Sequence, residues 1–74
     1  MLQRKEGRVT LTRREREVLD HVARGFSNKE IAAAIGCAPK TVESHVTNLL
    51  RKHAVDSRLR LVLAHVTSSA KHEG

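Results

Sequence analysis

Apolar residues recur along this chain at the spacing of a helix, and no stretch alternates for long enough to suggest a strand. In the first apolar segment, Val18, Leu19 and Val22 fall on one face of a helix. Later segments have the same spacing and place on one face Ile31, Ala32 and Ile35, then Val42, Val46, Leu49 and Leu50, then Leu59, Val62, Leu63 and Val66. The pattern predicts an all-α fold of four helices.

Local signals set the boundaries of these helices. Thr12 with Glu15, and Ser27 with Glu30, have the spacing of a capping box, which marks a helix start. Pro39 opens the third helix, because its missing amide costs nothing at the first position. The glycines placed to end helices in the left-handed conformation are Gly25 and Gly36. The predicted helices span about residues 12–24, 28–35, 39–53 and 57–68.

The helices form one small domain. Residues 1–11 are an N-terminal basic arm or linker remnant, residues 12–68 are the domain, and residues 69–74 are a polar tail. A 74-residue chain buries only about 60% of its unfolded surface, which leaves little room for a catalytic pocket. We therefore expect no enzymatic activity.

Charge and composition narrow the classes of partner. Fourteen Lys and Arg against eight Asp and Glu give a net charge of +6 and a pI near 10.5, which favours duplex DNA, a membrane surface or an acidic protein. With Phe26 as its single Phe, Tyr or Trp, the chain lacks the stacking side chains of single-strand binders. Residues 1–12 lack a signal-peptide core and no apolar run could span a bilayer, so we expect a cytoplasmic protein, nucleoid-associated if DNA is the partner.

We predict neither a metal site nor a cofactor. Cys37, His45 and His53 have no recognised zinc spacing, and no base is placed to activate Cys37 as a nucleophile. A lone cysteine also excludes an internal disulfide, in keeping with a reducing cytosol. Core packing is the better interpretation of Cys37.

The third helix has an unusual outer face. Opposite its apolar arc lie Lys40, Ser44, Thr47, Asn48 and Arg51, with Glu43 and Thr41 at the edges. A face that is merely solvated is usually built from strong helix formers, whereas Ser, Thr and Asn lower helix propensity. A short helix, a tight glycine turn and a longer helix that is polar outside form a helix-turn-helix, whose second helix fits the DNA major groove.

Four motifs carry a resemblance to a known family. REREVL, SNKEIA, TVESH and VDSR occur in order over about residues 10–66, and this arrangement resembles the LuxR/GerE-type DNA-binding domain of bacterial transcription regulators. The resemblance implies a scaffold helix near 28–35, a recognition helix near 39–53 and a fourth helix through which two domains pair on an inverted repeat. It also implies RNA polymerase as a candidate partner.

The resemblance assigns individual residues by position. Those expected to contact bases are Lys40, Glu43, Ser44, Thr47 and Asn48. Those expected to contact phosphates are Asn28, Lys29, Thr41, His45, Arg51 and Lys52, although His45 could instead bridge helices. Those expected in the dimer interface are Leu61 and His65. The apolar side chain of Leu61, which points away from the stripe on the fourth helix, could instead pack against the first helix or receive a regulatory domain.

This sequence departs from the family pattern at several positions, some of them among the assigned residues. Glu43 replaces a frequent lysine, so its carboxylate would repel phosphate but could accept from a cytosine amino group. His53 falls at the centre of the core arc, where it must be neutral and bonded unless the helix ends early. Ala38 replaces a capping serine, and Ala54 replaces a turn glycine. The fourth helix has Arg60 and Leu61 in place of an acid and an alanine.

Two other functions remain open on the sequence alone. In one, the outer face of the third helix docks an acidic protein, and the chain shows no salt-sensitive binding to duplex DNA. In the other, the basic amphipathic helices lie on a membrane surface, although the chain has no Trp and its helices are short and capped.

Overall fold

The computed structural model of the protein describes residues 9–73, with side chains up to residue 67. Four helices follow one another in this range, and it contains no strand. They are α1 (Arg13–Ala23), α2 (Asn28–Ile35), α3 (Pro39–Lys52) and α4 (Arg58–Glu73). The predicted all-α class and the four helices are confirmed. The predicted arm lies mostly outside the described residues.

Both predicted capping boxes are present. The Thr12 hydroxyl accepts from the Glu15 amide at 3.1 Å while Glu15 Oε1 accepts from the Thr12 amide at 2.9 Å. Ser27 and Glu30 form the same reciprocal pair at the start of α2. These bonds satisfy amides that have no partner within the helix, so each box fixes the residue at which its helix begins.

The turn between α2 and α3 depends on a glycine conformation. Gly36 has a φ of 76° and donates its amide to the Ala32 carbonyl, which closes α2 in a left-handed cap. The Cys37 amide donates to the same carbonyl, and α3 begins two residues later at Pro39. Ala38 caps α3 without a side-chain hydrogen bond, as its small apolar side chain requires.

All four helices contribute to one aliphatic core. Its buried members are Val18, Leu19, Val22, Ile31, Ala32, Val42, Val46, Leu49 and Leu61. Half-buried residues pack around it, and Cys37 is one of them, in agreement with its predicted packing role. Since Val42, Val46 and Leu49 form the buried side of α3, the opposite side of this helix faces outward.

The fourth helix differs from the prediction in orientation and in length. Leu61 is fully buried, whereas the residues predicted to face the core, Leu59, Leu63 and Val66, are 68%, 55% and 52% exposed. Val62, the fourth residue of the predicted stripe, is half-buried and packs against the core as predicted, and Leu61 fills the core beside α1 and α3. The helix also continues to Glu73 through most of the predicted polar tail, because no Gly or Pro interrupts it before Gly74.

The turn after α3 explains how His53 is accommodated. α3 ends at Lys52, one residue earlier than predicted, and His53 caps it with its ring Nδ1 2.8 Å from the Leu49 carbonyl. That distance requires Nδ1 to carry the proton and donate. Ala54 then adopts a left-handed φ of 56°, a conformation that glycine takes far more readily than alanine. Ser57 accepts from the Arg60 amide and caps α4.

Candidate nucleic-acid interface

The outer face of α3 comprises Lys40, Glu43, Ser44, Thr47 and Asn48. The first four side chains are exposed and Asn48 is half-buried, as expected from their positions opposite the core. They project from a helix anchored by Val42, Val46 and Leu49, so the helix position does not depend on a ligand. This rigid polar surface can offer hydrogen-bonding groups in a fixed arrangement.

One hydrogen bond and one ion pair involve Glu43 on this face. The Thr47 hydroxyl donates to the Glu43 carbonyl at 3.0 Å, one turn earlier. The Lys40 ammonium lies 3.8 Å from Glu43 Oε1, and both side chains are largely exposed. Such an exposed pair contributes little to stability, but it places a positive and a negative group side by side.

The second half of the outer face is linked to a basic residue. Arg51 Nη1 donates to Asn48 Oδ1 at 3.3 Å. Because this contact uses the amide oxygen of Asn48, its NH₂ group is the part left to donate to a ligand. Arg51 is exposed and retains other N–H groups that can reach an anion.

Three residues predicted to contact phosphates lie beside the outer face, on α2 and α3. Lys29 is exposed in the first turn of α2, Thr41 is exposed in the first turn of α3, and His45 is half-buried. α2 and α3 pack against each other, so these residues belong to one rigid unit. Lys29 and Thr41 are accessible to an anion along the flank of α3.

The arginine that holds Asn28 was missed by the sequence analysis. Arg58 Nη1 donates to Asn28 Oδ1 at 2.7 Å, and Arg58 Nη2 donates to the Phe26 carbonyl at 2.7 Å. Within residues 9–67, no carboxylate lies within 4.0 Å of the guanidinium, so its charge is not neutralised by an ion pair there. Arg58 is the last residue of the VDSR motif, but the spacing of residues in the sequence cannot show that its side chain reaches α2.

Lys52 makes contacts within the domain that the sequence did not predict. Its ammonium donates to Glu15 Oε1 at 2.8 Å and to the Thr10 carbonyl at 3.1 Å. Two of its three N–H donors are thus used within the domain, and the third is left for the predicted phosphate contact. Glu15 is 4% exposed, and the hydrogen bond from Lys52, followed by that from the Thr12 amide, lowers the pKa of its carboxyl although burial acts in the opposite direction. This pair joins the end of α3 to the start of α1.

One of the two residues predicted for a dimer interface, Leu61, needs correction. Leu61 has no exposed surface, so it cannot contact a second copy, and of its three predicted roles packing inside the domain is right. His65 is half-buried, with Nε2 3.9 Å from Asp20 Oδ1 on α1. The apolar surface that α4 presents to the outside is instead the stripe Leu59, Leu63 and Val66.

The described residues hold neither a metal-binding cluster nor a membrane-spanning helix. No cluster of three or more His, Cys, Asp or Glu side chains that could hold a metal ion was found there. None of the helices in that part of the chain is both long and apolar enough to cross a membrane.

Comparison with known proteins assigns the family. Residues 9–65 match the family described as bacterial regulatory proteins, luxR family. The chain is 52% identical over 59 residues to the uncharacterized transcriptional regulatory protein YhcZ of Bacillus subtilis, and 46% over 63 residues to the response regulator protein VraR of Staphylococcus saprophyticus. It is 49% identical over 51 residues to the transcriptional regulatory protein UhpA of Salmonella typhimurium. These matches cover 80%, 85% and 69% of the chain but only 28%, 30% and 26% of the relatives. The chain therefore belongs to the luxR family of bacterial regulatory proteins, a family of DNA-binding transcription regulators and not of enzymes.

Proposed function

We propose that this domain binds specific sequences of double-stranded DNA with α3 in the major groove, and that it regulates transcription as a dimer on an inverted repeat in the cytoplasm. The observation that carries the proposal is the outer face of α3. It is exposed and rich in hydrogen-bonding groups, on a helix whose other side is fixed by Val42, Val46 and Leu49. A regulator bound beside a promoter helps or blocks RNA polymerase, which is the expected second partner.

The dimensions of α3 suit this role. Its 14 residues give a length of about 21 Å at 1.5 Å per residue. The major groove is roughly 12 Å wide and accepts a helix, and polar side chains near the helix N-terminus then reach base edges. Lys40, Glu43 and Ser44 lie in the first two turns of α3, and Thr47 follows one turn later.

Affinity and specificity are expected to come from different residues. Lys29, Thr41 and His45 lie beside the outer face and would contact phosphates, as would Arg51 in the last turn of α3. Asn28 would donate through the NH₂ group that Arg58 leaves available. These contacts hold any duplex and weaken as salt rises, because binding releases counterions. Sequence preference is expected from the outer face itself.

The exposed stripe on α4 supports pairing of two copies. Leu59, Leu63 and Val66 lie on one side of the helix and are more than half exposed, which is costly for large apolar side chains unless another surface covers them. A two-fold dimer brings the same stripe of each copy together, and a symmetric dimer matches an inverted repeat.

The division between affinity and specificity can be tested with two matched variants. Thr47→Ala should change the base preference at one position of the half-site, whereas Lys29→Ala should weaken specific and random duplexes by the same factor. Binding would be measured by fluorescence anisotropy on selected and scrambled duplexes over a range of salt concentrations. If both variants lose affinity equally on every duplex, α3 does not read bases.

The dimer is tested by a change on the exposed stripe. Leu63→Arg should leave the fold intact and limit binding to one copy per duplex with two half-sites, as measured by analytical ultracentrifugation. The control is Thr67→Arg, which adds the same charge on α4 at an exposed polar position. A wild-type chain that binds such a duplex only as a monomer would refute the dimer.

A further inference from the structure

Glu43 and Thr47 lie one turn apart on the outer face of α3 and share a chemical property. A glutamate carboxylate has hydrogen-bond acceptors only. The Thr47 hydroxyl is normally both donor and acceptor, but its hydrogen is directed to the Glu43 carbonyl at 3.0 Å. What Thr47 offers outward is therefore its oxygen lone pairs and its methyl group.

Resting on the proposed binding of duplex DNA, we infer that Glu43 and Thr47 select bases that offer an exocyclic amino group to the major groove, with a cytosine opposite Glu43. The groups that can donate there are the N4 amino group of cytosine and the N6 amino group of adenine. Guanine N7 and O6 and thymine O4 are acceptors, so either base leaves the carboxylate facing a second acceptor without a proton between them.

Cytosine suits Glu43 better than adenine. Adenine places its N7 acceptor beside the N6 donor, whereas cytosine offers its amino group without an adjacent acceptor on the same base. In a C·G pair the acceptors belong to guanine, next to the cytosine amino group. The Lys40 ammonium, 3.8 Å from Glu43 Oε1, supplies a donor for them. Lys40 and Glu43 together thus offer a donor and an acceptor side by side, as the C·G edge requires.

The same pair explains how a carboxylate can approach a polyanion. α3 has one acidic residue, Glu43, among basic residues at both ends of the helix. Lys40 offsets part of the repulsion between that carboxylate and the phosphates. Glu43 therefore lowers affinity for every duplex, but it lowers affinity most for duplexes with an acceptor base opposite it. Specificity then comes from repulsion of wrong bases as well as from attraction to the right one.

Selection of bound duplexes from a randomised pool, using the full 74-residue chain, tests the inference. The wild type should enrich cytosine at one half-site position by roughly 5-fold or more over each other base, the lower end of the usual effect of one mismatch. Glu43→Gln should move that position from cytosine to adenine, because a glutamine amide can bond both N6 and N7 of adenine. Thr47→Val removes the hydroxyl oxygen and keeps the shape of the side chain. It should reduce the preference for a base with an exocyclic amino group at a neighbouring position and leave the preference for cytosine opposite Glu43 unchanged.

Asp56→Asn is the matched control for charge. It removes one exposed carboxylate in the turn between α3 and α4, which is not part of the outer face of α3, so it should raise affinity for all duplexes slightly and leave the base preference at every position unchanged. Circular dichroism would show that each variant is folded, as expected for substitutions of exposed side chains.

The possible outcomes separate the two proposals. An enriched site with guanine or thymine at the position that Glu43→Gln alters overturns the inference and leaves sequence-specific binding in place. An enriched site that Glu43→Gln does not alter at any position also overturns it. Retention of DNA without any enriched sequence overturns both the inference and the proposed function.

Discussion

The most informative substitution for the ion pair that joins α1 to α3 is Glu15→Gln. Glu15 is nearly inaccessible to solvent and accepts from the Thr12 amide at 2.9 Å and from the Lys52 ammonium at 2.8 Å. Glutamine also serves in a capping box, so its amide oxygen can still accept from Thr12. The substitution therefore removes the charge opposite Lys52 and preserves the cap.

The size of the effect follows from the exposure of the two partners. Breaking a fully buried ion pair costs about 3–5 kcal/mol, because the remaining charge cannot reach water. The Lys52 side chain is 37% exposed, so its ammonium can turn toward solvent and avoid most of that cost. We expect a loss of about 1–2 kcal/mol in the free energy of unfolding, which is roughly 4–16 °C in Tm for a domain of this size.

The loss should depend on pH in a defined direction. Lys52 and the Thr12 amide lower the pKa of the folded Glu15 carboxyl below its ordinary value of 4.5, so the folded state releases this proton more easily than the unfolded state. The stabilisation is fully present above about pH 4.5 and is lost as the pH falls through the lowered pKa. Since glutamine does not titrate, the stability gap between wild type and Glu15→Gln should narrow below pH 4.5.

Urea denaturation followed by circular dichroism between pH 7 and pH 3 measures both effects. The control is Glu17→Gln, which removes an exposed carboxylate paired with Arg14 at 3.0 Å and should cost at most about 1 kcal/mol. If the two variants are equally stable at pH 7, the Glu15–Lys52 pair contributes no more to the free energy of unfolding than the exposed Glu17–Arg14 pair does. If the gap for Glu15→Gln does not change with pH, the assigned cause of the lowered pKa is wrong.

Three further substitutions test the turn, the core and the link between α4 and α2. Ala54→Gly should raise the free energy of unfolding by about 0.5–1 kcal/mol in a urea titration, because the left-handed strain removed exceeds the added flexibility of the unfolded chain. Leu61→Ala should lower the free energy of unfolding by about 2–5 kcal/mol, whereas Leu63→Ala should change the free energy of unfolding of the monomer by less than about 1 kcal/mol. Equal losses for the two variants would contradict the orientation of α4. Arg58→Ala should weaken binding to specific and random duplexes alike in fluorescence anisotropy, because Arg58 holds Asn28, a proposed phosphate contact; Arg60→Ala is the control. A change of base preference in Arg58→Ala would contradict this role.

Features encoded within a few neighbouring residues could be predicted from the sequence. The capping boxes join residues three apart, and the left-handed φ of Gly25 and Gly36 follows from the need to end a helix. The outward position of Lys40, Ser44 and Thr47 follows from helical period alone, because the apolar residues of α3 occupy a single narrow arc.

Contacts between residues distant in sequence could not be predicted. Lys52 and Glu15 are 37 residues apart, and Arg58 and Asn28 are 30 apart. Each of these side chains has several possible partners of opposite polarity, and only the packing of the helices selects one. The sequence predicted Lys52 only as a phosphate contact, because its charge is visible in the sequence but the nearly buried carboxylate of Glu15 beside it is not.

The orientation of α4 was predicted wrongly for a reason that bears on its function. Apolar residues occupy more than one side of this helix, with Leu61 on one side and Leu59, Leu63 and Val66 on the other, so the period identifies two faces without saying which is buried. Arg58 decides between them, because its bonds to Asn28 and to the Phe26 carbonyl fix the rotation of the first turn. With that rotation Leu61 completes the core, and the larger apolar stripe is left outside. A helix that served only the core would not need this second apolar face, and its presence is what supports a partner surface on α4.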